Sequence, residues 1–385
     1  ELSSNPISGT SALSTLAGLE SLILSRIGLT TIPDLTDLPN LKFLDLVGNL
    51  ITDISGLSGM PAIETVTLFG NRITSISALS DGPNLQALGL GINQITDISG
   101  LSGLTSLQIV DLTNNQITAV GSLTDLPNLM YMDLQNNRIT DISGLAGLPN
   151  LTFLLLNRNR VESLDALSDL PKLRIMELST NQITDISGLS GLPGLETVDL
   201  SYNQIEIIAA LSEMPNLRSL DLKNNRIKDI AGLAGLPDLA TLDLANNDIE
   251  DIAVLSGLAN LKSLDISNNL IEDIRALTSL HDLDLLDMLY NSLDENAYVY
   301  NLPAIEENNP GAEISYSPCP WACERRPFAE AIDITNTPVL RWTAGAWAAV
   351  HDVYFGQFFN RGISKKNPFK QIFRGRQELD VVMYE

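Results

Sequence analysis

The sequence has few of the residues that do chemistry. Its 385 residues include two histidines, His281 and His351, and two cysteines, Cys319 and Cys323. A structural zinc site needs four ligands close together, which two distant imidazoles do not offer. There is no phosphate loop and no nucleophile–base spacing. Carboxylates repeated along a surface are not a desolvated acid/base pair, so the chain reads as non-enzymatic. No apolar run approaches the ~20 residues of a membrane-spanning helix. No signal peptide is present, and the chain opens on Glu1 inside a repeat, which reads as a mature form or a fragment.

Basic residues are also scarce, 23 Lys+Arg against 47 Asp+Glu. The imbalance is uneven. Residues 1–324 carry 14 Lys+Arg and 41 Asp+Glu, whereas residues 325–385 carry 9 and 6. An acidic body repels nucleic acid and anionic membranes and favours basic protein patches or cations. Solubility of a long apolar array is the plainer reading of the charge.

What the sequence has in abundance is one 22-residue unit. A clear copy contains Leu107-x-x-Val110-x-Leu112-x-x-Asn115-x-Ile117. The asparagine recurs as Asn49, Asn71, Asn93, Asn115, Asn137, Asn159, Asn181, Asn203, Asn225, Asn247, Asn269 and Asn291, with Asn5 in phase and Ile27 in one vacated place. This is the pattern of a leucine-rich repeat. Leucines five and three residues before the asparagine alternate along a short strand and point inward. One copy cannot bury its apolar face, but stacked copies can. The asparagine sits where the strand turns, so its side chain can pair backbone groups and form a ladder.

After each asparagine comes a segment such as Ile95-Thr-Asp-Ile-Ser-Gly-Leu101, with proline at Pro39, Pro61, Pro83, Pro127, Pro149, Pro171, Pro193, Pro215 and Pro237. Gly, Ser and Pro leave room for a turn or two of 3-10 helix. The expected fold is α/β: a leucine-rich repeat solenoid, or horseshoe, with a parallel concave sheet and short convex 3-10 segments. Thirteen strands at ~4.8 Å give a sheet about 60 Å long.

Residues 1–293 form the array, and residues 294–316 read as its cap. A helix is expected over residues 294–307, with Tyr298, Leu302 and Ile305 on one side and Pro303 awkward within it. Residues 317–327 read as a linker. Cys319 and Cys323 suggest a small disulfide, with two free thiols as the other reading; a disulfide implies an oxidising compartment. Residues 328–385 read as an incomplete β module with a basic tail containing Lys365, Lys366, Lys370, Arg374 and Arg376.

Residues 19–293, through the Ile-x-Asp-Ile-x-x-Leu segments, resemble the repeats of bacterial internalins and similar surface proteins. The same repeat class occurs in the intracellular regulatory subunit of protein phosphatase 1. Residues 332–356, with Val-Leu-Arg-Trp342 and His351-Asp-Val-Tyr-Phe-Gly356, resemble the opening strands of fibronectin type III or immunoglobulin-like modules. Trp342 and Trp347 are their candidate core aromatics. The repeat resemblance implies protein binding on the concave side, but no partner-binding residue carries over from it.

The concave face is therefore read directly. Residues six, four and two before each asparagine project from it and form a first, middle and third column. The middle column runs Ile23, Asp45, Thr67, Gly89, Asp111, Asp133, Leu155, Glu177, Asp199, Asp221, Asp243, Asp265, Asp287. Its carboxylates suit a basic partner, or weak Ca²⁺ binding that is not expected to matter; Asp as the usual residue of such repeats is the plainer account. Phe43, Phe69, Tyr131 and Phe153, with Val47, Met130 and Leu155, project nearby, and Gly89 and Gly91 are expected to leave a dip between them. Aromatic anchors beside a gap suit a binding hot spot. The resulting expectation is a monomer that binds a protein partner with a basic patch, without nucleic acid or membrane insertion, outside the cell or on its surface. An intracellular scaffold and a structural spacer are the alternatives.

Overall fold

The computed structural model describes residue 3 and residues 13–319, except residues 80, 81, 83, 122, 124, 168 and 169. Asn5, Cys323, Trp342, Trp347, the expected β module and the basic tail lie outside the described residues.

Among the described residues, fourteen parallel strands form one sheet in chain order. They are β1 (Ser21–Ile23), β2 (Phe43–Asp45), β3 (Thr65–Thr67), β4 (Ala87–Gly89), β5 (Ile109–Asp111), β6 (Tyr131–Asp133), β7 (Phe153–Leu155), β8 (Ile175–Glu177), β9 (Thr197–Asp199), β10 (Ser219–Asp221), β11 (Thr241–Asp243), β12 (Ser263–Asp265), β13 (Leu285–Met288) and β14 (Glu313–Tyr316). Each repeat strand faces its neighbour at residues 22 apart, as in Tyr131↔Phe153 and Asp221↔Asp243. The fourteenth strand corrects the expected thirteen: the cap adds it, through pairs such as Asp287↔Ser315. It escapes the 22-residue pattern because a helix is inserted before it.

That helix, α1 (Leu302–Asn308), follows one wide turn at Ala297–Asn301. Pro303 falls in its first turn, directly after the wide turn that the Leu302 N–H closes on the Ala297 carbonyl. Leu302 and Ile305 are buried, and Tyr298 packs against the core. Asn309 takes over the ladder's role in the cap. It donates to Leu280 and Ile305 carbonyls at 2.9 Å each and accepts the Leu283 N–H at 2.9 Å.

Within the array each ladder asparagine ties two repeats together. Asn159 donates to the carbonyls of Leu156 in its own repeat and Leu134 in the previous one, and accepts the Ile139 N–H. The residue before it turns the corner with positive φ in every repeat from Arg26 to Tyr290, which suits asparagine and glycine and strains Ile92 and Thr180. On the convex side a second asparagine row links repeats: Asn128 donates to the Thr105 carbonyl and Asn150 to that of Pro127. Aspartates such as Asp97 and Asp185 accept the N–H two residues on and so start the 3-10 turns at Ser99–Leu101 and Ser187–Leu189.

The convex side has a longer period than the strands. Gly100, Gly144, Gly188 and Gly232 stand 44 residues apart, and a Cβ on any of them would collide with a backbone carbonyl of the preceding repeat. The alternate repeats carry Ala78, Ser122, Ala166 and Ala210 at the same place. The unit of convex packing is thus a pair of repeats. One core runs the length of the array. Among the described residues, no helix is long and apolar enough to cross a membrane.

Candidate functional site

In each repeat strand the central residue is buried and its two neighbours face out, as in β8 and β10. The concave surface is therefore built from the first, middle and third columns, with neighbouring strands about 4.8 Å apart.

The middle column has a structural task. Asp45, Asp111, Asp133, Asp199, Asp221, Asp243, Asp265 and Asp287 each accept, through Oδ1, the backbone N–H two residues on, at 2.9–3.0 Å. This pairs a donor that the strand's end would otherwise leave without a partner. Glu177 is too long for that bond. It accepts from Asn157 Nδ2 at 2.6 Å, and Asn157 Oδ1 accepts the Ser179 N–H in its place.

The six carboxylates from Glu177 to Asp287 lie directly side by side on consecutive strands. Lys223, in the third column, breaks the run. Its ammonium lies 2.7 Å from Asp221 Oδ2 and 3.3 Å from Asp243 Oδ2. Donation to Asp221 holds the Lys223 pKa above the usual lysine range. Burial pushes the carboxyls of Asp221 and Asp243 up, against the hydrogen bonds that lower them. Asp133 is buried and its pKa is raised chiefly for the same reason. Among the described residues, no three His, Cys, Asp or Glu side chains converge as a metal site.

The expected aromatic region is not one cluster. Phe43 on β2 stands in the first column, four strands or about 19 Å from Tyr131. Phe69 follows β3 in the third column. The expected dip at Gly89 and Gly91 is filled, because the Phe69 ring lies where their Cβ atoms would be, and both glycines are buried. Met130 is 42 % exposed but precedes β6, outside the alternation that builds the three columns.

What does come together is a first-column stripe on β5–β8: Ile109, Tyr131, Phe153 and Ile175. The Tyr131 and Phe153 rings lie 6.0 Å apart at 43°, within the range of favourable ring pairs. Ile109 is 45 % and Phe153 37 % exposed. Leu155, half-buried, adjoins them in the middle column. The Tyr131 hydroxyl donates to Asp133 Oδ2 at 3.3 Å, and burial, then the charge of Asp133, push its pKa up to about 12. Ile109, Ile175 and Lys223 are the members the sequence reading missed. Their signal was present, since all three stand in columns that the 22-residue register defines.

Comparison with known proteins fits this geometry. The family model described as leucine-rich repeats in two copies matches residues 17–59, 39–81, 83–128, 171–213 and 215–257, and a second leucine-rich repeat model matches residues 118–161. No curated protein matches the chain. Among solved structures, an internalin from Listeria monocytogenes is 30% identical over 79% of this chain and 83% of its own, with a TM-score of 0.62. A leucine-rich repeat protein from Leptospira interrogans shares the fold at 22% identity and a TM-score of 0.67, over 80% of this chain and 87% of its own. So does the ectodomain of a plant membrane receptor kinase from Arabidopsis thaliana, solved in complex with Casparian strip integrity factor 2. It is 24% identical with a TM-score of 0.61, over 82% of this chain and 44% of its own.

Proposed function

The chain belongs to the leucine-rich repeat family, and from that premise we propose that it is a non-enzymatic recognition protein. In this reading it binds a protein or peptide on its concave face, outside the cell or at its surface. The observation that carries the proposal is the apolar stripe Ile109–Tyr131–Phe153–Ile175, held half-open to solvent beside a column of carboxylates. Contiguous exposed apolar surface on an otherwise acidic array calls for a partner, and paired aromatics supply the anchor that a hot spot needs. Asp111, Asp133, Glu177 and Asp199 then favour a partner whose apolar anchor is followed by basic residues, chiefly through encounter rate and register. The likeness to a Listeria internalin supports the surface location.

The test is capture of extracellular proteins by the chain and by its Tyr131→Ser/Phe153→Ser variant. The proposal expects at least one captured protein to be lost with the variant while its melting temperature stays the same. Identical capture by the two proteins would remove the stripe from the function and leave the array as a structural spacer.

A further inference from the structure

The β5–β8 stripe and the carboxylate column call for an occupant that is both aromatic and basic, and the chain itself contains such a segment. Residues 353–377 hold Arg361, Lys365, Lys366, Lys370, Arg374 and Arg376 with no Asp or Glu among them, interleaved with five phenylalanines. Residues 325–385 are the part of the chain where positive charge exceeds negative. We infer that residues 353–377 dock in cis on the concave face, Phe355, Phe358 and Phe359 against the Ile109–Tyr131–Phe153–Ile175 stripe and the cations that follow them along the carboxylates from Glu177 to Asp287.

The structure shows how such a cation fits. Lys223 bridges the neighbouring carboxylates Asp221 and Asp243. The pairs Glu177/Asp199 and Asp265/Asp287 have the same side-by-side register. Among the described residues, no Lys or Arg nitrogen lies within salt-bridge distance of these four. An incoming lysine at the Asp265/Asp287 pair would meet the geometry that Lys223 already uses. Reach is no obstacle. The described chain ends at Cys319, just past β14, the strand beside Asp287. From β14 to β5 is nine strand spacings, about 43 Å. The 33 residues between Cys319 and residue 353 can extend to about 110 Å.

This inference rests on the reading of the concave face as a recognition surface, and adds that the chain's own segment competes with the partner there. Zero-length carbodiimide crosslinking of the full chain, read by mass spectrometry on the monomer band, tests it. The expected links join Lys365, Lys366 or Lys370 to Glu177, Asp199, Asp265 or Asp287. They should disappear at 1 M salt, where the screening length falls to about 3 Å. Links confined to convex carboxylates such as Asp97 and Asp185, links found in the dimer band alone, or no links would each overturn it.

A second measurement uses a synthetic peptide of residues 353–377. The full-length Lys365→Glu/Lys366→Glu/Lys370→Glu variant should bind this peptide at least about tenfold more tightly than the native chain, because its own competitor is weakened. Equal affinity would overturn docking in cis. Neither failure touches the recognition reading, which stands or falls on capture through Tyr131 and Phe153.

Discussion

The ring of Phe69 lies directly over Gly89, one strand away, and takes up the space that a side chain there would need. A surface that looks notched in the sequence is therefore closed by its neighbour. Gly89→Ala should destabilise the protein by about 1–3 kcal/mol through overpacking, seen as a lower urea midpoint. Adding Phe69→Ala should recover most of that loss, because the two sites share one space. Additive costs in the double mutant would mean that the ring does not occupy it.

Asn159→Ala removes three donated bonds, the one to Asn157 being the longest, and one accepted bond from a buried position. The backbone groups of Leu134, Ile139 and Leu156 would lose their partner, at roughly 1–3 kcal/mol for each group left unsatisfied. A loss of about 3 kcal/mol or more in urea unfolding is expected. A loss below about 1 kcal/mol would show that water replaces the ladder.

Asp133 sets the expected pH dependence. Its folded carboxyl is raised, mainly by burial, so the folded state binds its proton more readily than the unfolded state does. Its charge therefore opposes folding at neutral pH, and the chain regains that stability as pH falls through the raised value. Asp133→Asn should raise the melting temperature at pH 7, and the gain should shrink toward pH 4. A gain that is constant with pH would place the effect in packing instead.

Lys223→Met leaves Asp221 and Asp243 side by side without their cation. All three side chains are half-exposed, so the loss at pH 7 should be modest, about 1 kcal/mol. The raised Lys223 pKa keeps its contribution intact through neutral pH, since that contribution is lost only at alkaline pH. In acid the raised carboxyls of Asp221 and Asp243 take up protons first. The difference between wild type and variant should therefore narrow as pH falls. An equal difference at pH 4 and pH 7 would assign the effect to the lysine stem.

The sequence by itself determined the solenoid. Apolar residues at fixed offsets from an asparagine that recurs without slippage can be buried only by stacking, and a register set at Asn49 holds to Asn291. It also determined which residues stand in each concave column, because alternation along a strand follows from period two. What it left open was contact between neighbours. Tertiary structure decided that Phe69 covers Gly89, that Lys223 bridges two aspartates, and that Tyr131 pairs with Phe153 while Phe43 stands apart. It also placed the cap strand beside Asp287, after a helix of different length from any repeat. These outcomes turn on side-chain length and direction, which carry Phe69 onto Gly89 and Lys223 onto Asp243 across columns, and a one-dimensional pattern specifies neither.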